Sequence, residues 1–196
     1  MFKYLTDTLF SLIAVIVLLP MILVITLIIW VEGGGCIIFK QQRVGKINQL
    51  FTLYKFRTMN PKSESGGLLT VGGRDKRITK SGYYLRKYKL DELPQLFNII
   101  KGDMSIVGPR PEVEKYVALY SDEQMKVLEV KPGLSDYASL EYINENEILS
   151  QSLDPEKTYI EEIMPAKLRL NLKYIEDQSF LVDMKIITKT ILKILS

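Results

Sequence analysis

The chain has 196 residues, a net charge of +3 and no histidine, a composition that excludes Ser-His-Asp catalysis and histidine-based zinc sites. Any chemistry must therefore come from carboxylates, lysine, arginine, tyrosine, or a metal ion held by oxygen ligands. The single cysteine, Cys36, cannot form a disulfide within the chain, which agrees with a reducing cytoplasmic environment.

The first segment of the chain is apolar, and residues 8–31 form a run of 24 residues without a charge. As a straight helix this run would be roughly 36 Å long and could cross a hydrocarbon core of about 30 Å. Pro20 near its middle predicts a kink, because proline removes a backbone hydrogen bond and clashes with the preceding turn. The residues alone leave two topologies open: a bent helix that spans the membrane, or a re-entrant helix whose ends stay on one face. We divide the chain into a membrane helix over residues 1–35 and a cytoplasmic domain over residues 36–196.

Residues 40–89 form a strongly basic block, with thirteen Lys or Arg residues against two acids and a net charge of +11. Residues 91–196 are acidic overall, with a net charge of −7. The block predicts an anionic partner, such as lipid headgroups, phosphates or nucleic acid, and it places the domain on the cytoplasmic side of a membrane. Because the chain contains no helix-turn-helix, zinc or RNA-recognition signature, we expect no nucleic-acid partner.

The rest of the chain predicts an α/β fold that is mostly helical, with a small β-hairpin or sheet whose strands lie between residues 37 and 59. We predict strands at residues 37–43 and 50–59, a polar loop at 60–73, and helices at 78–89, 93–100 (ended by Gly102), 112–129, 155–174 and 180–195. The last helix is amphipathic, with lysines on one face and Phe180, Met184, Ile187, Ile191 and Ile194 on the other. Such a helix can lie in a membrane interface or pack on the domain core, and the sequence does not decide between the two.

Asp91 and Glu92 are the first candidates for chemistry, and Pro94 follows them closely. Proline is tolerated in the first turn of a helix, so we expect a helix to start at or just before Asp91. The partial positive charge at that end would favour the ionised form of both carboxylates. An ionised carboxylate can attack phosphorus as a nucleophile or bind Mg²⁺, whereas the alternative is that the two acids only cap the helix.

Four basic residues are candidates for binding phosphate: Lys55, Arg57, Arg86 and Arg110. Arginine can bind phosphate through two parallel hydrogen bonds and keeps its charge, although each of these residues alone could be an ordinary surface residue. Arg110 is distinctive because Pro109 and Pro111 stiffen the backbone on both sides of it. The chain has no P-loop and no dinucleotide-binding glycine motif, so a kinase, ATPase or Rossmann-type interpretation has no support.

Three motifs together resemble the bacterial sugar transferases, and more narrowly the minimal monotopic polyprenol phosphate phosphoglycosyl transferases. They read KFRTM at residues 55–59, LDELPQLFN at 90–98 and KGDMSIVGPRPE at 101–112. The resemblance covers nearly the whole chain. It implies a re-entrant helix broken at Pro20, interfacial amphipathic helices, and a catalytic domain at the cytoplasmic face of the bacterial inner membrane.

The resemblance also implies a mechanism. Asp91 would attack the β-phosphate of a UDP-sugar, UMP would leave, and polyprenyl (undecaprenyl) phosphate would collect the phosphosugar from the aspartyl intermediate. This reaction would be the first membrane step of polysaccharide or glycoconjugate assembly. Glu92 would be the second catalytic residue, and Mg²⁺ would assist at Asp91. Arg86 and Arg110 match family arginines that contact phosphates or the nucleotide, and we assign Lys55 and Arg57 to substrate binding with them.

The sequence leaves the sugar and the oligomeric state undecided. Residues 134–137 and 143–146 depart from the family pattern in the region associated with the sugar, so the donor is not identified. Membrane lipids are expected partners, and a homodimer is an open alternative. The competing function is a non-catalytic, membrane-anchored scaffold for glycan assembly, and the intact Asp91–Glu92 pair argues against it.

Overall fold

The computed structural model of the protein describes residues 2–33, 35–60, 69 and 75–195. Its helices and strands, in chain order, are α1 (Phe2–Glu32), β1 (Ile38–Val44), β2 (Leu50–Phe56), α2 (Lys80–Lys87), α3 (Gln95–Lys101), β3 (Ser105–Val107), α4 (Glu114–Val117), α5 (Asp122–Met125), β4 (Gly133–Ser135), α6 (Tyr137–Glu141), α7 (Glu145–Ser150), α8 (Pro155–Thr158), α9 (Met164–Asp177) and α10 (Phe180–Leu195). Between them lie a left-handed turn at Lys46–Asn48, 3₁₀ turns at Leu90–Glu92 and Lys126–Glu129, and a π-helix at Tyr159–Ile163. The described part is mostly helical with small sheets, as expected, and the predicted loop at residues 60–73 lies almost entirely outside it.

The strands form two separate pairs. β1 and β2 make an antiparallel hairpin in which Ile38 lies opposite Phe56, and this confirms the predicted hairpin. β3 and β4 form a parallel pair, so the expectation that strands lie only between residues 37 and 59 is wrong. Strands of three residues are too short to show a period of two. Their pairing depends instead on a close backbone approach, since a Cβ added at Gly133 would lie 2.1 Å from Gly108 N.

Most predicted helices are present with shifted ends. α3 ends at Gly102, whose φ of 89° is a left-handed conformation that suits glycine. The predicted helix at 112–129 is wrong as a single element, because Ser121 and Gln124 form a capping box that starts a new helix. Residues 155–177 are helical throughout, although the π-helix separates α8 from α9. The short helices α6 and α7 have too few residues to produce a periodic pattern.

α1 is helical along its whole length, through Pro20. One side of it faces the domain both before and after that proline. Val15 and Leu18 pack beside α3, and Ile25 and Ile29 pack beside β2 and α2. The helix thus packs on the domain on both sides of Pro20, and the proline does not interrupt the helical backbone. Insertion of α1 into the membrane as a re-entrant element stays a prediction.

Polar contacts tie both ends of α1 to the domain. Near its start, Asp7 accepts a hydrogen bond from Ser105 Oγ at the beginning of β3. Near its end, Arg57 Nη2 donates to the carbonyl of Ile29 over 3.1 Å. The stretch between these two contacts would be about 33 Å long as a straight helix. α1 therefore lies along the domain instead of projecting away from it.

The opposite side of α1 is exposed and apolar. Its exposed large side chains are Leu5, Leu9, Phe10, Leu12, Ile13, Ile16, Val17, Leu19, Leu23, Val24, Leu27, Ile28, Trp30 and Val31. α1 is long and apolar enough to cross a membrane, and only 11% of its most apolar stretch is buried. A helix at the core of a soluble domain would be mostly buried, so α1 is suited to anchor the protein in a membrane.

α10 packs on the domain and also leaves an apolar strip uncovered. Ile186 is fully buried in a cluster with Val107 of β3 and Tyr174 of α9. The exposed apolar side chains of α10 are Phe180, Leu181, Met184, Ile191 and Leu192. α10 therefore packs on the domain core, which is one of the two roles that its sequence pattern allows. Contact of its exposed strip with a membrane stays a prediction.

Candidate active site

Asp91 and Glu92 lie in a 3₁₀ turn that precedes α3. A 3₁₀ helix does begin at Leu90, just before Asp91, but the α-helix starts only at Gln95, and Pro94 is its N-cap residue. An α-helix through Asp91 would need residue 94 to donate an N–H to the carbonyl of Leu90, and proline has none. Leu93 N makes that bond instead, over 3.3 Å, and this closes the tighter turn.

Both carboxylates are buried, with Asp91 7% and Glu92 8% exposed. Glu92 Oε1 accepts a hydrogen bond from Lys55 Nζ over 2.9 Å and a second from Arg110 Nη2. Burial alone would raise the pKa of Glu92, but the charges of Arg110 and Lys55 hold that pKa well below its usual range. Glu92 is therefore ionised and neutralised by two cations from different parts of the chain.

Asp91 lies in a different environment from its neighbour. Its Oδ1 is buried and has no hydrogen-bond partner within the described part of the chain. Burial raises the pKa of Asp91, and the negative charge of Glu92 adds to this, whereas Lys55 and Arg86 oppose it. A helix N-terminus was expected to favour the ionised form, but burial outweighs the positive charges around Asp91. Within the described residues Asp91 thus keeps one carboxylate oxygen without a hydrogen-bond partner, as a nucleophile or a metal ligand requires.

Arg110 joins three segments of the chain at the site. Its guanidinium pairs with Glu92, and its backbone N donates to Asp136 Oδ2 over 3.3 Å. Asp136 also caps α6 by accepting from Ser139 N over 2.7 Å. The charge of Glu92 raises the pKa of Arg110 above its usual value, so the partly buried guanidinium stays protonated.

The other two candidate arginines occupy different places. Arg86 Nε donates to Thr58 Oγ1 over 2.8 Å, and its positive charge acts on Asp91. Arg57 is buried at the end of α1, where its Nη2 bonds to the carbonyls of Ile29 and Gly33. The structure therefore brings Lys55 and Arg110 to the dyad and places Arg86 beside it, but it directs Arg57 to the membrane helix. The substrate contact assigned to Arg57 stays a prediction that its position does not support.

A second group of residues, which the sequence did not point to, fixes the backbone next to Arg110. Glu112 Oε1 accepts from Arg43 Nη1 and from Val113 N, each over 2.8 Å, while its Oε2 accepts from the hydroxyl of Tyr159. Arg43 Nη1 also donates to the carbonyl of Pro111 over 3.1 Å. The position of Glu112, directly after the Pro-Arg-Pro sequence, could have identified it as part of the site. No sequence pattern identifies Arg43 or Tyr159.

The site suits a magnesium ion that is shared with a substrate. Within residues 2–33, 35–60, 69 and 75–195, no group of three or more acidic, histidine or cysteine side chains could hold a metal ion alone. Mg²⁺ is usually held by one or two carboxylates together with substrate phosphates, so three protein ligands are not required. Asp91 has the unpartnered oxygen that such a site needs, while Glu92 Oε1 is already engaged.

Comparison with known proteins gives a consistent result. The chain matches the family model described as bacterial sugar transferase over residues 1–196. It is 39% identical over 191 residues to a Bacillus subtilis protein named uncharacterized sugar transferase EpsL, and the match covers 95% of this chain and 86% of that protein.

Two further relatives have names that state a reaction. The chain is 36% identical to the UDP-N-acetylgalactosamine-undecaprenyl-phosphate N-acetylgalactosaminephosphotransferase of Aeromonas hydrophila. It is 33% identical to the UDP-glucose:undecaprenyl-phosphate glucose-1-phosphate transferase of Klebsiella pneumoniae. These matches cover 97% and 98% of this chain but only 43% and 40% of the two relatives, so the chain spans less than half of their length.

Proposed function

Because the chain belongs to the bacterial sugar transferase family, we propose that it is a phosphoglycosyl transferase. It moves a phosphosugar from a UDP-sugar to undecaprenyl phosphate, which gives undecaprenyl-diphosphate-sugar and UMP. The observation that carries this proposal is the buried pair of carboxylates, of which Glu92 is neutralised by two cations and Asp91 keeps an unpartnered oxygen within the described residues. The names of the two relatives that state a reaction support the same chemistry.

Asp91 is the nucleophile of the first half-reaction. One of its carboxylate oxygens forms a bond to the β-phosphorus of the donor, while the bond from that phosphorus to the bridging oxygen breaks. UMP leaves with the electron pair, and a phosphosugar remains on Asp91. Glu92 is less suited to this attack, because Lys55 and Arg110 both bind its Oε1.

The second half-reaction returns the enzyme to its starting state. A phosphate oxygen of undecaprenyl phosphate attacks the same phosphorus, the bond to Asp91 breaks, and the carboxylate is regenerated. Because Asp91 is buried, water has little access to the intermediate, which favours transfer to the lipid over hydrolysis.

The cations around the dyad reduce the repulsion between the Asp91 carboxylate and the anionic donor. The donor pyrophosphate is anionic, so a carboxylate can approach it only where the combined negative charge is neutralised. Glu92 keeps Lys55 and Arg110 in place before the donor binds, and Arg86 adds its charge next to Asp91. When Mg²⁺ is bound through Asp91, it supplies further neutralisation of the phosphate oxygens.

We also propose that the protein is monotopic and works at the cytoplasmic face of the inner membrane. Asp7 near the start of α1 and Ile29 near its end both bond to the same domain, which supports this arrangement. A spanning α1 would carry one of these two ends to the opposite side of the membrane from the domain. The exposed side of α1 would instead enter one leaflet, with the apolar strip of α10 and its lysines lying at the interface.

The test of the reaction separates its two halves. The full-length enzyme is incubated with one UDP-sugar and no lipid acceptor, and both UMP release and intact protein mass are measured. We expect one phosphosugar on Asp91, and Asp91→Asn should abolish both signals while membrane association remains. Absence of an adduct under conditions that support turnover would reject the covalent step. Absence of UMP release from every donor, with acceptor present, would reject the transferase.

The donor panel should begin with UDP-N-acetylgalactosamine and UDP-glucose, because the two relatives are named for these sugars.

A further inference from the structure

The turn between β1 and β2 has an unfavourable backbone. Ile47 has φ 54° and ψ 38°, and the next residue, Asn48, has φ 57°. Asparagine tolerates this left-handed conformation, but a β-branched side chain crowds the neighbouring carbonyl and adopts it only as an outlier. Hairpin turns of this kind favour asparagine or glycine at both central positions, so Ile47 lowers the stability of the turn.

Packing within the chain does not compensate for this conformation. Ile47 is 72% exposed, and Leu50, at the start of the next strand, is 54% exposed. The tip of the hairpin thus presents two aliphatic side chains to the surroundings, one of them on a disfavoured backbone. A conformational outlier without a packing reason points to a function for the side chain that it presents.

The hairpin tip lies next to the start of the membrane helix. Tyr4, in the first turns of α1, has Lys46 Nζ 6.0 Å and Lys131 Nζ 4.5 Å from the centre of its ring. Leu5, the next residue of α1, is exposed and apolar. The hairpin tip and Lys131 therefore lie beside the first turns of α1, where Leu5 belongs to the exposed apolar side of the helix.

The charge of this region favours an anionic surface. Lys46 and Lys131 lie at the tip, and the 3₁₀ turn Lys126–Glu129 that packs beside it adds one lysine and one glutamate. The two lysines of the tip make it positively charged, whereas the neighbouring turn adds no net charge. Aliphatic side chains flanked by lysines are typical of segments that insert among anionic lipid headgroups.

We propose that this hairpin tip, defined as Lys46, Ile47 and Leu50 together with Lys131, is a further membrane contact, separate from α1 and α10, that inserts into an anionic lipid surface. An attachment point away from the axis of α1 limits the rotation of the domain about that axis. The inference rests on the membrane association of α1 and not on the transferase reaction, so failure of the reaction assay leaves it standing.

The test measures the local environment, because α1 alone would keep the full-length protein on membranes. In a Cys36→Ser background, an environment-sensitive fluorophore is attached to Ile47→Cys or, as a control, to Leu153→Cys. Leu153 is a fully exposed aliphatic residue between α7 and α8. The vesicles contain phosphatidylcholine and phosphatidylglycerol with a nitroxide quencher on the lipid. We expect a blue-shifted, strongly quenched signal at position 47 and a water-like, weakly quenched signal at position 153.

Two results of this measurement would overturn the proposal. One is equal quenching at positions 47 and 153. The other is a blue shift at position 47 without quenching by lipid, which would mean that a second copy of the chain covers the tip.

A matched pair of variants separates apolar contact from backbone conformation. Ile47→Asn relieves the left-handed turn and should raise the Tm by roughly 2–4 °C, whereas Asn48→Gly, at a residue that already tolerates the conformation, should change the Tm little. With the fluorophore at Leu50→Cys, Ile47→Asn should lose most of the lipid quenching and Asn48→Gly should keep it. Equal quenching in the two variants would count against insertion of Ile47.

The lysines are tested by lipid composition. Lys46→Gln combined with Lys131→Gln should remove the difference in quenching between vesicles with and without phosphatidylglycerol. A difference that persists unchanged in this double variant would show that the tip does not recognise anionic lipid through these residues.

Discussion

Asp91 and Glu92 are adjacent in the chain and almost equally buried, yet their pKa values shift in opposite directions. Burial raises the pKa of Asp91, which has an unpartnered oxygen within the described residues. The same burial acts on Glu92, but there Arg110 and Lys55 outweigh it and lower the pKa. Two adjacent carboxylates in the same turn thus differ in their pKa shift and in their partners, and this difference supports distinct roles in phosphoryl transfer.

The first prediction concerns the pH dependence of the donor half-reaction. Only ionised Asp91 can attack, so the rate of UMP release should rise as the pH passes the pKa of Asp91. Because burial raises this pKa, the rising limb of the pH–rate profile should lie above the ordinary aspartate range. Glu92→Gln should slow the reaction and move the limb to lower pH, since it removes a negative charge that raises the pKa of Asp91. Single-turnover UMP release across pH measures the limb, and a limb that stays in place would contradict the assignment of Asp91.

The second prediction concerns stability at pH 7. The pKa of Asp91 is higher in the folded state than in the unfolded state. Its ionisation therefore favours unfolding as the pH rises through these two values. Asp91→Asn removes this ionisation and should raise the Tm at pH 7. The folded-state pKa of Glu92 lies below its unfolded value of about 4.3, so its stabilisation is present above that pH and is lost on acidification. Glu92→Gln should cost about 3 kcal/mol, because it leaves Lys55 and Arg110 unpaired. Thermal unfolding of both variants measures this contrast, and a lower Tm for Asp91→Asn would contradict it.

The parts of the fold that the sequence predicts are those with many residues in one pattern. The 24-residue apolar run predicts α1, and sustained periodicity predicts the β1–β2 hairpin and α10. β3 and β4 have three residues each, and their pairing depends on two glycines, Gly108 and Gly133, that meet only in the folded chain. Local pattern contains no information about such a contact.

The candidate site shows a similar division. The motifs place Asp91, Glu92, Lys55 and Arg110 together, and in the structure Lys55 and Arg110 do contact Glu92. Arg57 is only two residues from Lys55, yet its guanidinium bonds to the carbonyl of Ile29 near the end of α1, a contact that only the folded chain brings about. The raised pKa of Asp91 could not be predicted from the sequence either, because it depends on burial of the side chain by other segments.

The third prediction concerns Arg110→Ala. Charge-assisted contacts to phosphate contribute about 1.5–3 kcal/mol each, so kcat/KM for the donor should fall roughly ten- to a hundredfold. Lys115→Ala is a suitable control, because Lys115 forms an exposed ion pair with Glu156, whereas the two ion pairs of the dyad are made by Lys55 and Arg110. Steady-state UMP release at varied donor concentration measures both variants. Unchanged kinetics in folded Arg110→Ala would place Arg110 outside the donor site.

The fourth prediction concerns the topology of α1. Position 2 and the native Cys36 lie at the two ends of the helix, and monotopic attachment places both on the cytoplasmic side. Phe2→Cys in a Cys36→Ser background, and the native Cys36 separately, should react with a membrane-impermeant maleimide in inverted membrane vesicles. Neither should react in intact spheroplasts. Labelling of position 2 from the outer side alone would show that α1 spans the membrane.

The fifth prediction concerns Tyr159, whose hydroxyl donates to Glu112 across 47 positions of the chain. Glu112 directly follows the Pro-Arg-Pro sequence, and Arg43 bonds to both its carboxylate and the carbonyl of Pro111. Tyr159 thus supports the backbone that presents Arg110 to the dyad. Removing one hydrogen bond to an ionised acceptor loses about 1.5 kcal/mol, so Tyr159→Phe should lower kcat/KM for the donor by roughly tenfold.

A double-mutant cycle distinguishes this positioning role from a general loss of stability. If Tyr159 acts through Arg110, Tyr159→Phe should have almost no further effect on kcat/KM in an Arg110→Ala background. Tyr116→Phe is a matched control, because Tyr116 packs on the ring of Tyr159 at 5.0 Å between centroids but its hydroxyl interacts with Glu156. The control should keep the kinetics of the unmodified enzyme. Equal losses from Tyr159→Phe in both backgrounds would mean that its effect is independent of Arg110, and the positioning role would have to be abandoned.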